Sequence, residues 1–507
     1  MLEAKGEKSM EPSLKQLDAF FNPRSVAVVG ATKKINKAGH VIFKNFVENK
    51  RRGVFKGEIF PVNPNEDSIL ELHSYPSVTK IPGELDLVVI VVPANIVPKI
   101  MEDAASKKVK AVAIISSGFG EIGNHELENQ VVATAKKAGI RVLGPNCLGV
   151  YDSKTGVDML FLPETKILTT GDEVIATPRP MPGNIAIVTQ SGAFGVAALD
   201  YLAGLQTGVS KFVSFGNKCD VNEAEMLHYL LYDKETEAIL LYVEDIKSGR
   251  DFLEVAKEVT KIKPVVALKT GKREAGARAA ASHTGAIAGS DKIYDAVFAQ
   301  TGIFRATDMD EFFHAGKALA MQPPAAGENI GIITDAGGPG IMAVDECELK
   351  GLAVNRFSEK TIQKFEKLKA EGRLPKFATN LNPVDITGSG TSEMFELATE
   401  IVFQDHEICG IVLLGLHHVP ALQEDYINKV AKVASKYDKP IVACDIGETE
   451  MALRTRLTFD KLGIPAYSSP EDAARAMNAL VRYGLYLKKN RCLKDRVQKF
   501  AKTQQKQ

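Results

Sequence analysis

One histidine, His283, lies in a stretch of small residues, SHTGAIAGS at 282–290, shortly after Lys272 and Arg278. Glycine-rich sequence makes a poor helix interior, so we expect a loop that a large anion can approach. A neutral imidazole nitrogen is a nucleophile that can accept a phosphoryl group. The spacing is therefore compatible with a phosphorylated histidine, although a structural histidine fits it as well.

A second candidate site lies in the sequence IVTQSGAFG at 187–195. The pattern predicts a strand that runs into Gln190, Ser191 and Gly192 and a helix that follows directly. Small residues such as Gly192 and Ala193 leave the N–H groups of a helix N-terminus open to an anion, which the helix dipole also favours. Ser191 is in addition a candidate nucleophile, but the GxSxG pattern of a nucleophile elbow is missing.

Two carboxylates, Glu244 and Asp245, end the apolar run LLYVED at 240–245. One of them, such as Glu244, could hold one ring nitrogen of a catalytic histidine and so favour the reactive tautomer. The alternative is that both residues cap the following helix.

Several loops at predicted strand ends near the N-terminus form a further candidate site. The strand SVAVVGA (25–31) ends at Gly30, and a lysine-rich loop leads to Gly39, without a GxGxxG or Walker pattern. Backbone N–H groups and lysines suit a phosphate-bearing ligand; solvated lysines on a plain turn are the alternative. Later strands end in FPVNPN, VVPAN, ISSGFGE and LGPNCLGV. Ligands gather at such ends in open α/β sheets, although any sheet of this class needs turns there.

The C-terminal third has similar loops. Three glycines in DAGGPG (335–340) precede a predicted helix and offer another place for an anion. His417 and His418 end a strand, but no HExxH or carboxylate spacing accompanies them. We interpret them as residues at the edge of a sheet and predict no metal site.

The elements that position these residues are short apolar strands alternating with amphipathic helices. Near-continuous apolar strands are typical of parallel sheets buried on both faces, so the predicted fold class is α/β, with doubly wound sheets. The segment 151–183 lacks clean periodicity and is predicted to be a linker, as is 321–328. Three domains are therefore expected, at 15–150, 184–320 and 328–485.

Composition excludes several function classes. Lys plus Arg equals Asp plus Glu, at 63 each, which gives no electrostatic case for nucleic acid or an anionic membrane. Six cysteines without a CxxC pair indicate a reducing compartment and neither a zinc site nor a disulfide framework. The polar N-terminus lacks a secretory h-region, and no apolar run is long enough to cross a bilayer. A cytoplasmic protein is expected.

Taken in order, the motifs GPNCLGV, TQSGAFG, YVED, SHTGAIAG, DAGGPG and NPVDITG resemble those of the α subunits of NDP-forming acyl-CoA synthetases, closest to the ADP-forming acetyl-CoA synthetases. Succinyl-CoA synthetase α subunits are more distant relatives. The resemblance covers roughly residues 15–485. It implies a Rossmann-like CoA-binding domain, a ligase domain that carries a phosphohistidine loop, and a second ligase-type domain, the last two flavodoxin-like.

The resemblance also implies roles for individual residues. His283 corresponds to the phosphorylated histidine and Glu244 to the carboxylate that contacts it. Gln190, Ser191, Gly192 and Ala193 correspond to the phosphate-binding helix N-terminus, so that Ser191 becomes a phosphate ligand. The positions that correspond to CoA-facing turns are Gly30, Ala31, Thr32, Pro61, Val62, Asn63, Pro64, Val92, Pro93, Ser116, Ser117, Gly118 and Asn146.

The implied reaction interconverts acyl-CoA, ADP and phosphate with a carboxylic acid, CoA and ATP, through an acyl phosphate and phosphohistidine. The nucleotide step in this family uses an ATP-grasp module with Mg²⁺. The three expected domains leave no room for it, so a separate β subunit, most simply in an α2β2 assembly, is implied. Succinyl-CoA synthetases carry a polar aromatic residue a few positions after the serine–glycine turn, and Val196 lies near that place here. The resemblance therefore favours a small or apolar acid, with acetate first and branched or aryl acids left open. The alternative is a CoA-sensing protein of the same fold that has lost turnover.

Overall fold

The computed structural model of the protein describes residues 12–276, 278 and 290–504. The chain divides into two compact units. The first comprises Met1–Val259 and Ala267–Val297, and the second comprises Thr260–Val266 and Phe298–Gln507. No helix in the described ranges is long and apolar enough to cross a membrane.

The first unit opens with a parallel sheet of five strands. Its strands are apolar and, apart from β2, buried along almost their whole length, because helices cover both faces. The strand order is β2-β1-β5-β6-β7, while β3 and β4 form a short antiparallel hairpin. The elements are β1 (Ser25–Val29), β2 (Glu58–Val62), β3 (Ser68–Ile69), β4 (Leu72–His73), β5 (Leu87–Ile90), β6 (Ala111–Ile114), β7 (Arg141–Leu143), α1 (Pro12–Phe21), α2 (Ala38–Arg51), α3 (Val97–Ser106) and α4 (His125–Ala138), with short 3₁₀ turns at Val78–Lys80, Ala94–Ile96 and Gly120–Ile122.

A second sheet follows, and the chain enters it earlier than the sequence pattern suggested. The first strand after the first sheet, β8, pairs antiparallel with β13, and β12 pairs in parallel with β13 and β14. Part of the segment 151–183 therefore extends this sheet, and β10 and β11 form an exposed hairpin. The elements are β8 (Gly149–Asp152), β9 (Val157–Asp158), β10 (Thr165–Ile167), β11 (Glu173–Ile175), β12 (Pro182–Thr189), β13 (Val209–Ser214), β14 (Ala238–Val243), β15 (Val265–Lys269), α5 (Gly192–Gly204), α6 (Glu223–Tyr232), α7 (Gly249–Val259) and α8 (Asp291–Thr301).

The second unit contains another parallel five-stranded sheet, in the order β18-β17-β19-β20-β21. Helices pack on it around an apolar core that includes Phe365, Phe395 and Val430. The elements are β16 (Phe304–Arg305), β17 (Ile330–Thr334), β18 (Val384–Asp385), β19 (Gly410–Leu414), β20 (Ile441–Cys444), β21 (Ala466–Tyr467), α9 (Met309–Met321), α10 (Gly337–Leu349), α11 (Glu359–Ala370), α12 (Ser392–Phe403), α13 (Tyr426–Ala434), α14 (Glu450–Lys461), α15 (Pro470–Lys489) and α16 (Leu493–Gln504).

The predicted α/β class with doubly wound parallel sheets is confirmed. In the first and third sheets the opening strand lies between the second and third strands along the chain, the order of flavodoxin-like folds. In this order the crevice for a ligand lies beside the carboxyl end of the opening strand. That places the loops after β1, β2 and β5 at one edge of the first sheet.

Candidate functional site

The loop after β1 is fixed in place by glycine. Gly30 has φ +97°, and a Cβ there would lie 2.2 Å from the carbonyl oxygen of Val91. A Cβ on Gly39 would lie 2.0 Å from the carbonyl oxygen of Gly30. Only glycine allows this close approach of backbones, so the two ends of the lysine-rich loop are held together at the carboxyl end of β1.

The next loop, after β2, is tied to the first by side chains. The Asn63 amide donates to the carbonyl oxygen of Ala31 at 2.8 Å. Glu66, which the sequence analysis missed, accepts from the Thr32 hydroxyl at 2.7 Å and from the N–H of Lys33. The loop after β1 is therefore stabilised by the carboxylate of the protein's own Glu66, which binds both donors.

Ser116 joins the loops that follow β5, β6 and β7. Its hydroxyl accepts from the N–H of Val92 at 3.2 Å, and its carbonyl oxygen accepts from the N–H of Asn146 at 2.9 Å. The predicted residues Val92, Ser116 and Asn146 thus lie together, although they are far apart in sequence. The remaining predicted positions Pro61, Val62, Pro64, Pro93, Ser117 and Gly118 lie in or beside the same strand-end loops.

Asn217, in the loop after β13, connects the two sheets of the first unit. Its amide nitrogen donates to Glu121 at 2.7 Å and to Glu128 at 2.9 Å. Burial alone would raise the pKa of Glu121, but hydrogen bonds from Asn217 and from the N–H of Gly118 outweigh it and lower that pKa. The loop after β6 is therefore held by hydrogen bonds to the Glu121 carboxylate, and the sequence pattern did not predict this network.

Gly216 allows the loops after β7 and β13 to touch. It has φ +59°, and a Cβ would lie 2.1 Å from the carbonyl oxygen of Pro145.

We expect Gly216→Ala to lower the free energy of unfolding by about 2–4 kcal/mol, because it adds backbone strain and overpacking. Urea titration would measure the change. Gly249→Ala, with open space around the new methyl group, is the matched control, and an equal effect of both substitutions would contradict the expectation.

Ser191 begins helix α5 as its N-cap. Its hydroxyl oxygen accepts from the N–H of Phe194 at 3.3 Å, and its own N–H donates to the Thr189 hydroxyl at 3.1 Å. A serine with this role stabilises the start of a helix. The N-terminus of α5, with Gly192 and Ala193, opens into a cavity, as a phosphate-binding helix must.

Gln190 clamps the two carboxylate residues that follow β14 against this helix. Its side-chain oxygen accepts from the N–H groups of Glu244 and Asp245, the latter at 2.9 Å, and its nitrogen donates to the Asp245 carboxylate at 2.5 Å. The Asp245 carboxylate is thus bound to Gln190, and α7 begins only at Gly249. Asp245 therefore does not act simply as a cap of that helix. Glu244 is 8% exposed and lines the cavity.

Lys218 is a buried cation that the sequence analysis missed. Its side chain is 2% exposed and contacts Glu223 at 2.5 Å, the Asp245 carbonyl oxygen at 2.9 Å and the Asp245 carboxylate at 3.1 Å. Burial raises the pKa of Glu223, and Lys218 opposes that rise. Gln190 and Lys218 together hold the Glu244–Asp245 turn from two sides.

These parts enclose a cavity of about 470 Å³ inside the first unit. One wall comes from the strand-end loops of the first sheet and the other from α5 and the loops after β13 and β14. The lining residues are Ile115, Ser117, Asn146, Cys147, Leu148, Phe161, Leu162, Gln190, Ser191, Gly192, Ala193, Val196, Gly216, Asn217, Lys218, Glu244, Asp245 and Lys247. The predicted helix N-terminus, Glu244 and two of the predicted loop residues, Ser117 and Asn146, thus share one cavity, whereas His283 lies outside the described residues.

The second unit has a separate polar edge at the ends of its strands. Burial raises the pKa of Asp335 to about 7, with the nearby Asp445 and Asp385 adding to the rise and N–H donation from Leu416 opposing it. His417 contacts the Asp445 carboxylate at 2.8 Å and lies 3.9 Å from the His418 ring. In the described ranges no group of three or more His, Cys, Asp and Glu residues is placed to hold a metal ion.

The raised pKa of Asp335 predicts a pH dependence of stability. The folded state holds the proton more tightly than the unfolded state, so stability falls as pH rises between about 4 and 7. Between pH 5 and pH 8 the free energy of unfolding should fall by roughly 1–4 kcal/mol less in Asp335→Asn than in wild type. Urea unfolding at the two pH values would measure this difference. Asp438→Asn, at an exposed aspartate, is the control. An equal change in stability with pH in wild type and in Asp335→Asn would contradict the raised pKa of Asp335.

Comparison with protein families divides the chain into three matches. A CoA binding domain matches residues 24–153, a succinyl-CoA ligase like flavodoxin domain matches 182–319, and a ligase-CoA domain matches 330–484. These three matches define the class of the chain: it is an acid–thiol ligase protein with a CoA-binding domain.

Individual relatives narrow the class. The acetate–CoA ligase [ADP-forming] I subunit alpha of Pyrococcus furiosus is 39% identical, over 94% of this chain and 99% of that protein. The 4-hydroxybutyrate–CoA ligase [ADP-forming] of Nitrosopumilus maritimus is 33% identical, and the match covers 92% of this chain and 64% of that protein. The structure of Ca. Korarchaeum cryptofilum acetyl-coenzyme A synthetase 1 with phosphate and ADP matches with a TM-score of 0.83 and 33% identity, over 94% of this chain and 98% of that chain. The chain belongs to the α subunits of the ADP-forming acetate–CoA ligase family.

Proposed function

We propose that this chain binds acyl-CoA and phosphate for an ADP-forming acyl-CoA synthetase and carries the phosphoryl group on His283. The observation that supports this most is the shared cavity, in which the N-terminus of α5 and Glu244 face loops of the CoA-binding domain. A thioester, a phosphate and a phosphoryl acceptor must meet in one place for the reaction to occur.

The proposed reaction has three steps. A phosphate oxygen attacks the thioester carbonyl carbon, the carbon–sulfur bond breaks, and CoA leaves as its thiol. The imidazole of His283 then attacks phosphorus, the bond to the acyl oxygen breaks, and the carboxylate leaves. The phosphoryl group finally passes from histidine to the terminal phosphate oxygen of ADP. The reverse sequence activates an acid at the expense of ATP.

The residues of the cavity have distinct roles in this proposal. Backbone N–H groups at Gly192 and Ala193 and the Ser191 hydroxyl bind the phosphate, because they lie at the positive end of the α5 dipole. Glu244, held by Gln190, accepts a hydrogen bond from one ring nitrogen of His283 and leaves the other nitrogen as the nucleophile. The loops around Gly30, Asn63, Val92, Ser116 and Asn146 bind CoA.

We assign the nucleotide and Mg²⁺ to a separate β subunit with an ATP-grasp fold, in an α2β2 assembly. The Pyrococcus relative is named as a subunit, and the Nitrosopumilus relative is about half as long again as the matched region. Both observations support a further module that acts with this chain. ADP, phosphate and CoA are metabolites of the cytoplasm, which is the proposed setting.

The proposal is tested by ATP formation. The purified chain is mixed with its candidate β subunit, acetyl-CoA, phosphate, ADP and Mg²⁺, and ATP is measured by a coupled assay. We expect ATP only when every component is present, and acetate and CoA in amounts equal to ATP. Tight CoA binding without ATP formation from any acyl-CoA would instead support a CoA-sensing protein and overturn the proposal.

A further inference from the structure

The segment that follows β9 contributes an apolar wall to the cavity. Phe161 and Leu162 line it, although the sequence pattern placed them in a linker. Three further apolar residues line the same cavity: Ile115 after β6, Leu148 before β8 and Val196 in α5. The cavity lining therefore combines polar residues such as Ser191 and Glu244 with apolar residues that have no part in the proposed phosphoryl transfer.

This wall is braced by polar contacts behind it. Arg179 forms a buried ion pair with Asp158 at 2.7 Å and donates to the carbonyl oxygen of Leu162 at 3.0 Å. The Asp158 carboxylate also accepts from the N–H of Leu160, and the Asn45 amide donates to the Leu160 carbonyl oxygen at 2.8 Å. Residues 158–162 are thus fixed at several points, so the two apolar side chains have a defined position.

The charges that line the cavity disfavour an acidic acyl group. Two carboxylates, Glu244 and Asp245, face it together with two lysines. Lys218 is engaged by Glu223 and Asp245, and Lys247 donates to the carbonyl oxygens of Asn217 and Lys218. A second carboxylate on the substrate would lose its water and meet lysines that already have partners, which is unfavourable.

We infer that Phe161 and Leu162, with Val196, form the acyl-group pocket and select short, uncharged aliphatic acyl groups. This inference rests on the proposed function, because it assigns the substrate class of the same cavity. The wall limits chain length by contact, and the surrounding charges exclude dicarboxylic acids. The two residues are specificity determinants and take no part in bond breaking.

The first test uses two substrates of equal chain length on the wild-type enzyme with its β subunit. Butyryl-CoA and succinyl-CoA both carry four-carbon acyl groups, but only the second has a terminal carboxylate. We expect kcat/KM for succinyl-CoA to be at least about 100-fold lower, the scale at which a mismatched polar group is rejected. Comparable values would overturn the exclusion of dicarboxylates.

The second test changes the wall itself. Phe161→Ala and Leu162→Ala should each raise the ratio of kcat/KM for butyryl-CoA over acetyl-CoA, by roughly 10-fold or more for the better variant. Ile167→Ala, in the same segment but at a side chain that is 76% exposed, should leave the ratio unchanged. Phe161→Leu and Leu162→Val serve if an alanine variant does not fold, and their ratios should rise less.

The outcomes separate the inference from the function on which it rests. A ratio that stays within twofold of wild type in all folded wall variants, with acetyl-CoA still turned over, would overturn the acyl pocket alone. An equal loss for both substrates would indicate a structural role and would also overturn it. No turnover of any acyl-CoA by the wild-type enzyme would overturn the proposed function itself.

Discussion

His283→Ala is expected to abolish acyl-CoA-dependent phosphorylation of the chain and to lower ATP formation by roughly 10³-fold or more, because a covalent step has no substitute nucleophile. The chain is incubated with its β subunit, acetyl-CoA and ³²P-phosphate, and the labelled protein is treated with acid and with alkali. Phosphohistidine is acid-labile and alkali-stable, so wild type should lose its label only in acid.

The matched control is His406→Ala. The His406 side chain is 84% exposed, so its loss should change neither the label nor the rate. Label of unchanged amount in His283→Ala would place the phosphoryl group on another residue. Acid-stable label would indicate a phosphoserine, and Ser191 would then return as the candidate nucleophile.

The strand-end motifs were predictable because their chemistry is local. A glycine after an apolar strand, as at Gly30, and a small-residue helix start, as at Ser191, are visible within a few residues of sequence. The α/β class followed from the same alternation of strands and helices. The role of His283 depended on the resemblance of its motif to a family, since the spacing alone fitted a structural histidine.

The supporting residues were not predictable in this way. Glu121 meets Asn217 across 96 residues, and Gln190 meets Asp245 across 55. The first pair joins loops of two different sheets, and the second joins the ends of two neighbouring strands of one sheet. No local spacing encodes either contact. Phe161 and Leu162 were missed for a related reason: their segment has neither helical nor strand periodicity, and its position is fixed by the distant Arg179 and Asn45.

Lys218→Met is expected to lower both the stability and the activity of the protein. The substitution keeps the apolar length of the side chain but leaves the carboxylates of Glu223 and Asp245 without their cation. Breaking one partner of a buried ion pair costs about 3–5 kcal/mol. Since Lys218 also donates to the Asp245 carbonyl oxygen, the Glu244 turn should shift. Steady-state kinetics should then show a fall in kcat.

The pH dependence and two control variants separate this electrostatic effect from a general packing defect. The pKa of Glu223 is already raised by burial, and loss of Lys218 raises it further. The folded state then gains a proton as pH falls, so the destabilisation should be smaller at pH 5 than at pH 8.

Lys154→Met breaks an exposed pair of the same 2.5 Å length with Glu235 and should cost less than about 1 kcal/mol. Adding Glu223→Gln to Lys218→Met should restore part of the stability, because one of the unpaired buried charges is removed. A pH-independent loss that Glu223→Gln does not relieve would mean that Lys218 acts through packing alone, and that Gln190 by itself holds the turn that carries Glu244.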